Sequence, residues 1–425
     1  MSESQIKIRG FGPRRLREAL FRVTAAGALF FAGGMFLILS AGVLVLGAGA
    51  FVRGEARLEV VLDAGRLGVE EGAEADLLRT ADFRAVLRDS LTQALGHDAR
   101  GLSPLALQAL LSPGAEFQLA RRLAAAPDLL GATVALSAPL SDDADGYFKR
   151  RFDHATAPAT RPLSDAQLDA LDALKEKGLI RQAFNAGFFT DGDSSYPELA
   201  GIAAGVVGSF ISVGLAILIA APLGVATAVF LEEFAPKNWA TDFLEININN
   251  LAAVPSIIFG LLGLVVFNIL LGMPRSAPLV GGLVLALMTL PTIIIVTRAS
   301  LQALPSSLKQ GALALGASKL DAALDPLLPA AAPGIATGVI IGFARALGET
   351  APLILIGMVA FVATPPASPL EPSPALPVLV YLWAESPERA FAEKTAGAII
   401  VLLALLLALN GLAALMRRRF DPYRR

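Results

Sequence analysis

Two ionisable residues stand in a part of the chain that holds almost no others. Arg345 and Glu349 interrupt the otherwise uncharged window Gly334–Val362. Four residues apart, they are expected one above the other on one face of a helix. A charge within a lipid bilayer is expensive, so such groups face a bundle interior or a wet cavity and pair with one another. A planar guanidinium can also grip an oxyanion through two parallel hydrogen bonds. The chemistry expected of the pair is transient anion binding by Arg345. Glu349 would hold the guanidinium in place and keep affinity low enough for release. The plainer alternative is a pair that only locks helix packing.

Few other residues invite a chemical reading. The chain has no cysteine, which excludes disulfides, thiol catalysis and zinc-thiolate sites. Its two histidines, His97 and His154, are far apart and read as solvated side chains. A formal net charge of -2, with no basic stripe interleaved with aromatics, argues against a nucleic-acid partner. No Gly-x-x-x-x-Gly-Lys-Ser/Thr loop occurs, so ATP hydrolysis by this chain is not expected. Neither a cofactor nor a metal is expected, and without a convergent His, Asp or Ser set near a span end no enzyme is read.

The elements that must position the pair follow from composition. The 425 residues are 55% hydrophobic and only 17% charged, against about a quarter charged in soluble domains. A helix needs roughly 20 apolar residues to cross a bilayer. Uncharged windows of that length run Val23–Val52, Gly201–Leu231, Ile246–Pro274, Ser276–Thr297 and Thr395–Met416, with Gly334–Val362 as the sixth. Lipid offers bare backbone no partners, so all six are expected to be helical. The first window is too long for the core of a cleaved signal peptide and reads as an anchor that stays.

The expected fold class is a membrane all-α protein: one N-terminal anchor plus a five-helix core, with an α+β extracytoplasmic domain inserted between them. Lys7, Arg9, Arg14, Arg15, Arg17 and Arg22 precede the first span, and Arg417, Arg418, Arg419, Arg424 and Arg425 end the chain. Six spans return both basic ends to one side, expected to be cytoplasmic. The loop from Arg298 to Pro333 falls on the same side. Glu232, Glu233, Asp242 and Glu245 there outnumber Lys237, but acidic residues contribute little to that rule.

The expected divisions are a basic tail and first span (1–52), an outer domain (53–200), the core (201–416, with an inner loop at 298–333) and a basic tail (417–425). In the outer domain, Arg57–Leu62 alternates like a strand. Ala120–Leu130 and Ser164–Leu179 read as amphipathic helices, and Ser137–Gly146 and Ala157–Pro162 as turns. Ala363–Ser386 reads as a proline-rich surface loop with a short helix. Trp239, Tyr381 and Trp383 are expected as interfacial anchors.

The inner loop is the most informative stretch. Pro305-Ser306-Ser307 can start a helix, Gly316 can end it in a left-handed turn, and Ser318 can cap a second helix that must stop before Pro326. Gln310-Gly311-Ala312, Gly316 and Leu328-Pro329 resemble the EAA loop of ABC-importer permeases: Glu-Ala-Ala, three residues, Gly, nine residues, Ile-x-Leu-Pro. Gly316, Leu328 and Pro329 match in spacing, while Gln310, Gly311 and Pro326 depart from the pattern. The resemblance implies a coupling helix seated in a groove of an ATPase subunit.

Further segments narrow the resemblance to phosphate-importer permeases of the type with an extra N-terminal extracytoplasmic domain. They are Ala221-Pro222-Leu223-Gly224-Val225, Val254-Pro255-Ser256-Ile257-Ile258-Phe259-Gly260-Leu261, Thr289-Leu290-Pro291-Thr292 and Ala344-Arg345-Ala346-Leu347-Gly348-Glu349-Thr350-Ala351-Pro352. The resemblance implies a bacterial inner-membrane location and a type I permease core. It places Arg345 and Glu349 along the anion path. The implied partners are ATP-binding cassette ATPase subunits, a second homologous permease and an extracytoplasmic phosphate-binding protein, with lipid around the spans. A permease for sulfate, molybdate or phosphonate is the alternative, and a membrane-anchored sensor a distant one.

Overall fold

Helix α1 (Gly12–Gly47) is long because nothing between Val23 and Val52 carries charge or proline. The structure is a computed structural model that describes residues 12–69 and 81–419; Lys7, Arg9, Arg424 and Arg425 of the expected basic tails lie outside the described residues. No residue in the most apolar stretch of α1 is buried. At Gly47 it comes close to the bundle: an added Cβ there would stand 2.6 Å from the Ile400 side chain.

The inserted domain follows. Strand β1 (Val52–Val61) is central in an antiparallel sheet of order β2-β1-β3, with β2 at Thr133–Pro139 and β3 at Ile180–Phe184. Leu58 pairs with Leu136 and Ala56 with Ala138. These residues join one apolar core with helices α2 (Phe83–Leu95), α3 (Gly114–Ala125), α4 (Asp142–Phe148) and α5 (Asp165–Glu176). Ser164 and Gln167 form a capping box that starts α5 where a helix was expected. The stretch expected as a turn at Ser137–Gly146 is instead the end of β2 followed by α4, started by the Ser141 cap. Pairing with β1 outweighs the local turn composition there.

Beyond the inserted domain the main helices are α6 (Ala203–Val229), α7 (Trp239–Ala252), α8 (Ser256–Gly263), α9 (Pro278–Gln302), α10 (Ser306–Ala314), α11 (Leu328–Gly348), α12 (Ala351–Leu355), α13 (Leu376–Ala384) and α14 (Arg389–Arg419). Among the described residues five helices are long and apolar enough to cross a membrane, or six if one bent pair is a single span. That pair corrects the expected span Ile246–Pro274. Helices Trp239–Ala252 and Ser256–Leu270 meet at 100°, because Pro255 has no N–H for the preceding turn and its ring excludes a continuous helix.

Pro352 does the same to the expected span Gly334–Val362. The helix ends at Gly348, a short α12 follows, and residues 356–375 are mostly irregular. Helices α6 and α9 form the bundle centre with small residues between them. A Cβ on Gly282 would stand 2.9 Å from the Ser212 carbonyl oxygen, and the Ser212 hydroxyl donates to the Pro278 carbonyl at 3.0 Å. Small residues let two backbones approach where there is no hydrophobic drive between apolar helices. Trp383 is not an interfacial anchor: it is 3% exposed and its indole N–H donates to Asp193 at 2.9 Å.

Candidate functional site

Arg345 occupies the last turn of α11, where the negative end of the helix dipole favours a cation. Glu349 lies just past the helix end in extended backbone (φ -76, ψ 126) rather than on the helical face. Its carboxylate still turns back toward Arg345, with Nε to Oε1 at 3.5 Å. Arg345 is 39% and Glu349 18% exposed at the side chain. The level of the pair follows from neighbours: Gly342 faces Ile293 and Thr289 of α9, and a Cβ on Gly260 of α8 would stand 2.6 Å from Pro352. The pair therefore sits well inside the apolar span, at the break between two helices.

The loop residues lie at the other end of α11, about 30 Å away at 1.5 Å per residue. Helix α10 ends at a glycine with φ +89, Gly316, where Ala317 N–H bonds the Ala312 carbonyl at 3.1 Å. Ser318 and Asp321 then form a capping box that opens the next short helix. Gln310, Gly311, Gly316 and Pro329 are exposed, and Ala312 and Leu328 half-buried. Leu308 packs against the bundle, whereas Leu315 is 91% exposed and does not share that packed face.

A charge network at this end was missed by sequence reasoning. Lys309 of α10 reaches Glu233 at 2.5 Å, Arg298 reaches Glu245 at 2.8 Å, and Gln302 donates to Glu232 at 2.9 Å. The acidic excess after α6 is thus matched by donors from α9 and α10. The signal was present in the opposite charges of two segments expected on the same side.

A second buried network joins the inserted domain to α14. Glu393, 8% exposed at the side chain, accepts from Lys149 at 2.6 Å and pairs with Arg151. Lys149 also meets Asp145 at 2.7 Å and donates to the Gly49 carbonyl at 2.7 Å; Asp145 accepts from the Gly54 amide at 2.7 Å. Lys394 points over the Phe188 ring at 5.2 Å.

Arg151 also meets Asp142 at 3.2 Å, yet burial pushes the Asp142 carboxyl up to about 6 against that pull. A carboxyl raised on folding adds stability below its unfolded value of ~4, and that contribution is lost as pH rises through about 6. Asp142→Asn is therefore expected to raise stability at pH 7.5 by about 1 to 2 kcal/mol, with no gain near pH 4. Thermal unfolding of the purified protein across that pH range measures it.

Comparison with known proteins adds to the geometry. A family model described as binding-protein-dependent transport system inner membrane component matches residues 220–424, and one described as a domain of unknown function, DUF3333, matches residues 9–157. The chain is 37% identical over 199 residues to the probable ABC transporter permease protein YqgH of Bacillus subtilis, covering 45% of this chain and 62% of that one. It is 33% identical over 219 residues to the phosphate transport system permease protein PstA of Yersinia pestis, covering 50% and 71%. The chain spans less than two thirds of the Bacillus relative's length. A solved structure of the MetNI methionine ABC transporter in an inward-facing conformation is similar with a TM-score of 0.40 and 18% identity, over 52% of this chain and 94% of that one.

Proposed function

This chain belongs to the family of binding-protein-dependent transport system inner membrane components, and from that premise we propose that it is the permease subunit of an ATP-driven importer of inorganic phosphate. The observation that carries the anion reading is the loosely held guanidinium of Arg345 at a helix break inside the apolar bundle. An arginine there offers a fork of donors to an oxyanion, and Glu349 sets how firmly the anion is kept. The relatives named for phosphate transport support that cargo over another oxyanion.

In this reading both termini and the 298–333 loop face the cytoplasm, the segment 53–200 is an outer domain, and 201–416 is one half of the translocation path. A second permease supplies the other half, and an extracytoplasmic phosphate-binding protein delivers the anion. Hydrolysis takes place in ATP-binding cassette subunits that meet Gln310, Gly311, Ala312, Gly316, Leu328 and Pro329. The exposed Leu313, Leu315, Leu320 and Leu324 give that loop an apolar surface suited to a groove.

The test is uptake of radiolabelled phosphate into vesicles holding the reconstituted complex, with sulfate and molybdate as competitors. Uptake that phosphate suppresses and the other two do not supports the reading; uptake blocked equally by sulfate or molybdate overturns the cargo. Leu315→Asp puts a charge into the proposed ATPase groove. It is expected to lower co-purification of the ATPase subunits about tenfold, the loss of one buried leucine contact. Undiminished co-purification would move the coupling surface elsewhere.

A further inference from the structure

The end of the bundle that carries the inserted domain marks a sharp boundary. Uncharged sequence in α14 begins at Thr395, directly after Glu393 and Lys394, and Gly47 of α1 lies against Ala396 and Ile400. Gly49, which lies against Glu393, and residues 389–393 therefore share the level at which hydrocarbon gives way to headgroups, with Ala41–Val45 one to two helical turns deeper in the apolar zone. A cleft of about 760 Å³ opens there between α1 and the inserted domain. Its apolar lining includes Ala41, Gly42 and Val45, the last 80% exposed; Arg151 and Arg389 also line it, beside Lys149 and Glu393.

The charges are unequal in their commitments. Arg151 is held by Glu393 and Asp142 and keeps 27% of its side chain exposed. Among the described residues no carboxylate lies within ion-pair distance of Arg389, whose guanidinium donates only to the Thr160 carbonyl, at 3.4 Å. Beside the cleft, Phe184 (65% exposed) and Phe189 (40% exposed) stack in series with Phe51, with centroids 5.8 and 5.7 Å apart.

We propose that this cleft is a phospholipid site: the α1 wall takes acyl chain, and Arg389 with the exposed edge of Arg151 takes the phosphodiester. Free phosphate shares the headgroup's chemistry but has no use for an apolar wall. The site goes beyond the transport reading and uses none of its residues.

The test uses the purified intact complex and phosphatidylglycerol, with bound lipid counted by native mass spectrometry. Arg389→Gln removes the unpaired cation. Gly42→Leu fills the apolar wall without disturbing the helix, since a Cβ at Gly42 meets nothing within 4 Å. Arg389→Gln is expected to lower phosphatidylglycerol occupancy about fivefold, the equivalent of roughly 1 kcal/mol per interfacial cation, and Gly42→Leu to lower it by occupying the acyl-chain space. Diacylglycerol of the same chain length is expected to bind weakly, and inorganic phosphate not to displace the lipid. Unchanged occupancy in both variants overturns the site. Diacylglycerol binding as well as the phospholipid removes the headgroup role, and displacement by inorganic phosphate reassigns the cleft to the free anion.

Discussion

Arg345→Gln is expected to lower phosphate uptake by the reconstituted complex about a hundredfold, the equivalent of roughly 2.7 kcal/mol, while assembly stays normal. A guanidinium has five N–H donors, and the approach of Glu349, 3.5 Å to Nε, is longer than a charge-assisted hydrogen bond. Most donors are thus available to an anion that arrives in a region of low dielectric, where a charge-assisted pair of hydrogen bonds counts for most. Glutamine keeps length and polarity but loses both the charge and the fork. Lysine restores the charge alone, so Arg345→Lys should recover part of the loss, about tenfold of it. The rival role, a clamp between α11 and the segment after it, makes the opposite forecast: uptake preserved, or lost together with assembly. Measuring subunit stoichiometry beside uptake separates the two.

How much of this was legible depended on how local each signal is. The Arg345–Glu349 proximity is a short-range feature, and spacing alone brought the two groups together. Its backbone setting was not legible from hydropathy, since Pro352 is as acceptable to a window average as any apolar residue while it ends the helix at Gly348. Pro255 bent the third window for the same reason. The left-handed turn at Gly316 could be read because few residues but glycine adopt φ +89 without strain. Strand β2 could not, because its stability comes from pairing with β1, some eighty positions earlier. The contacts of Lys149 and Arg151 with Glu393 span more than 240 positions. No local pattern in one sequence carries that pairing; only the position of Glu393 just ahead of an uncharged run hinted that it needed a partner.

That pairing supports the second large effect. Glu393→Ala is expected to destabilise the protein by about 3 to 5 kcal/mol, the usual result of removing one partner from a buried ion pair. Glu393 is 8% exposed and answers two cations, Lys149 at 13% and Arg151 at 27% exposure. Once it is gone, Lys149 retains Asp145 at 2.7 Å and Arg151 retains Asp142 at 3.2 Å, so the domain's own fold should survive. What is lost is the link to α14, and protease cleavage between residues 149 and 161 should rise before the bundle unfolds. Replacing three coupled groups together, Glu393→Leu with Lys149→Met and Asp145→Asn, keeps Arg151 with Asp142 and leaves no buried charge of the network without a partner. Apolar replacement of a whole buried ion pair is often neutral, so the triple variant should regain most of the lost stability. If the single variant melts with the parent protein, the ion pairs do not hold the domain. If the triple variant is no better than the single, the damage lies in packing rather than in orphaned charge. Transport measured on the triple variant then shows whether the domain must be tied to α14 by charge or only held there.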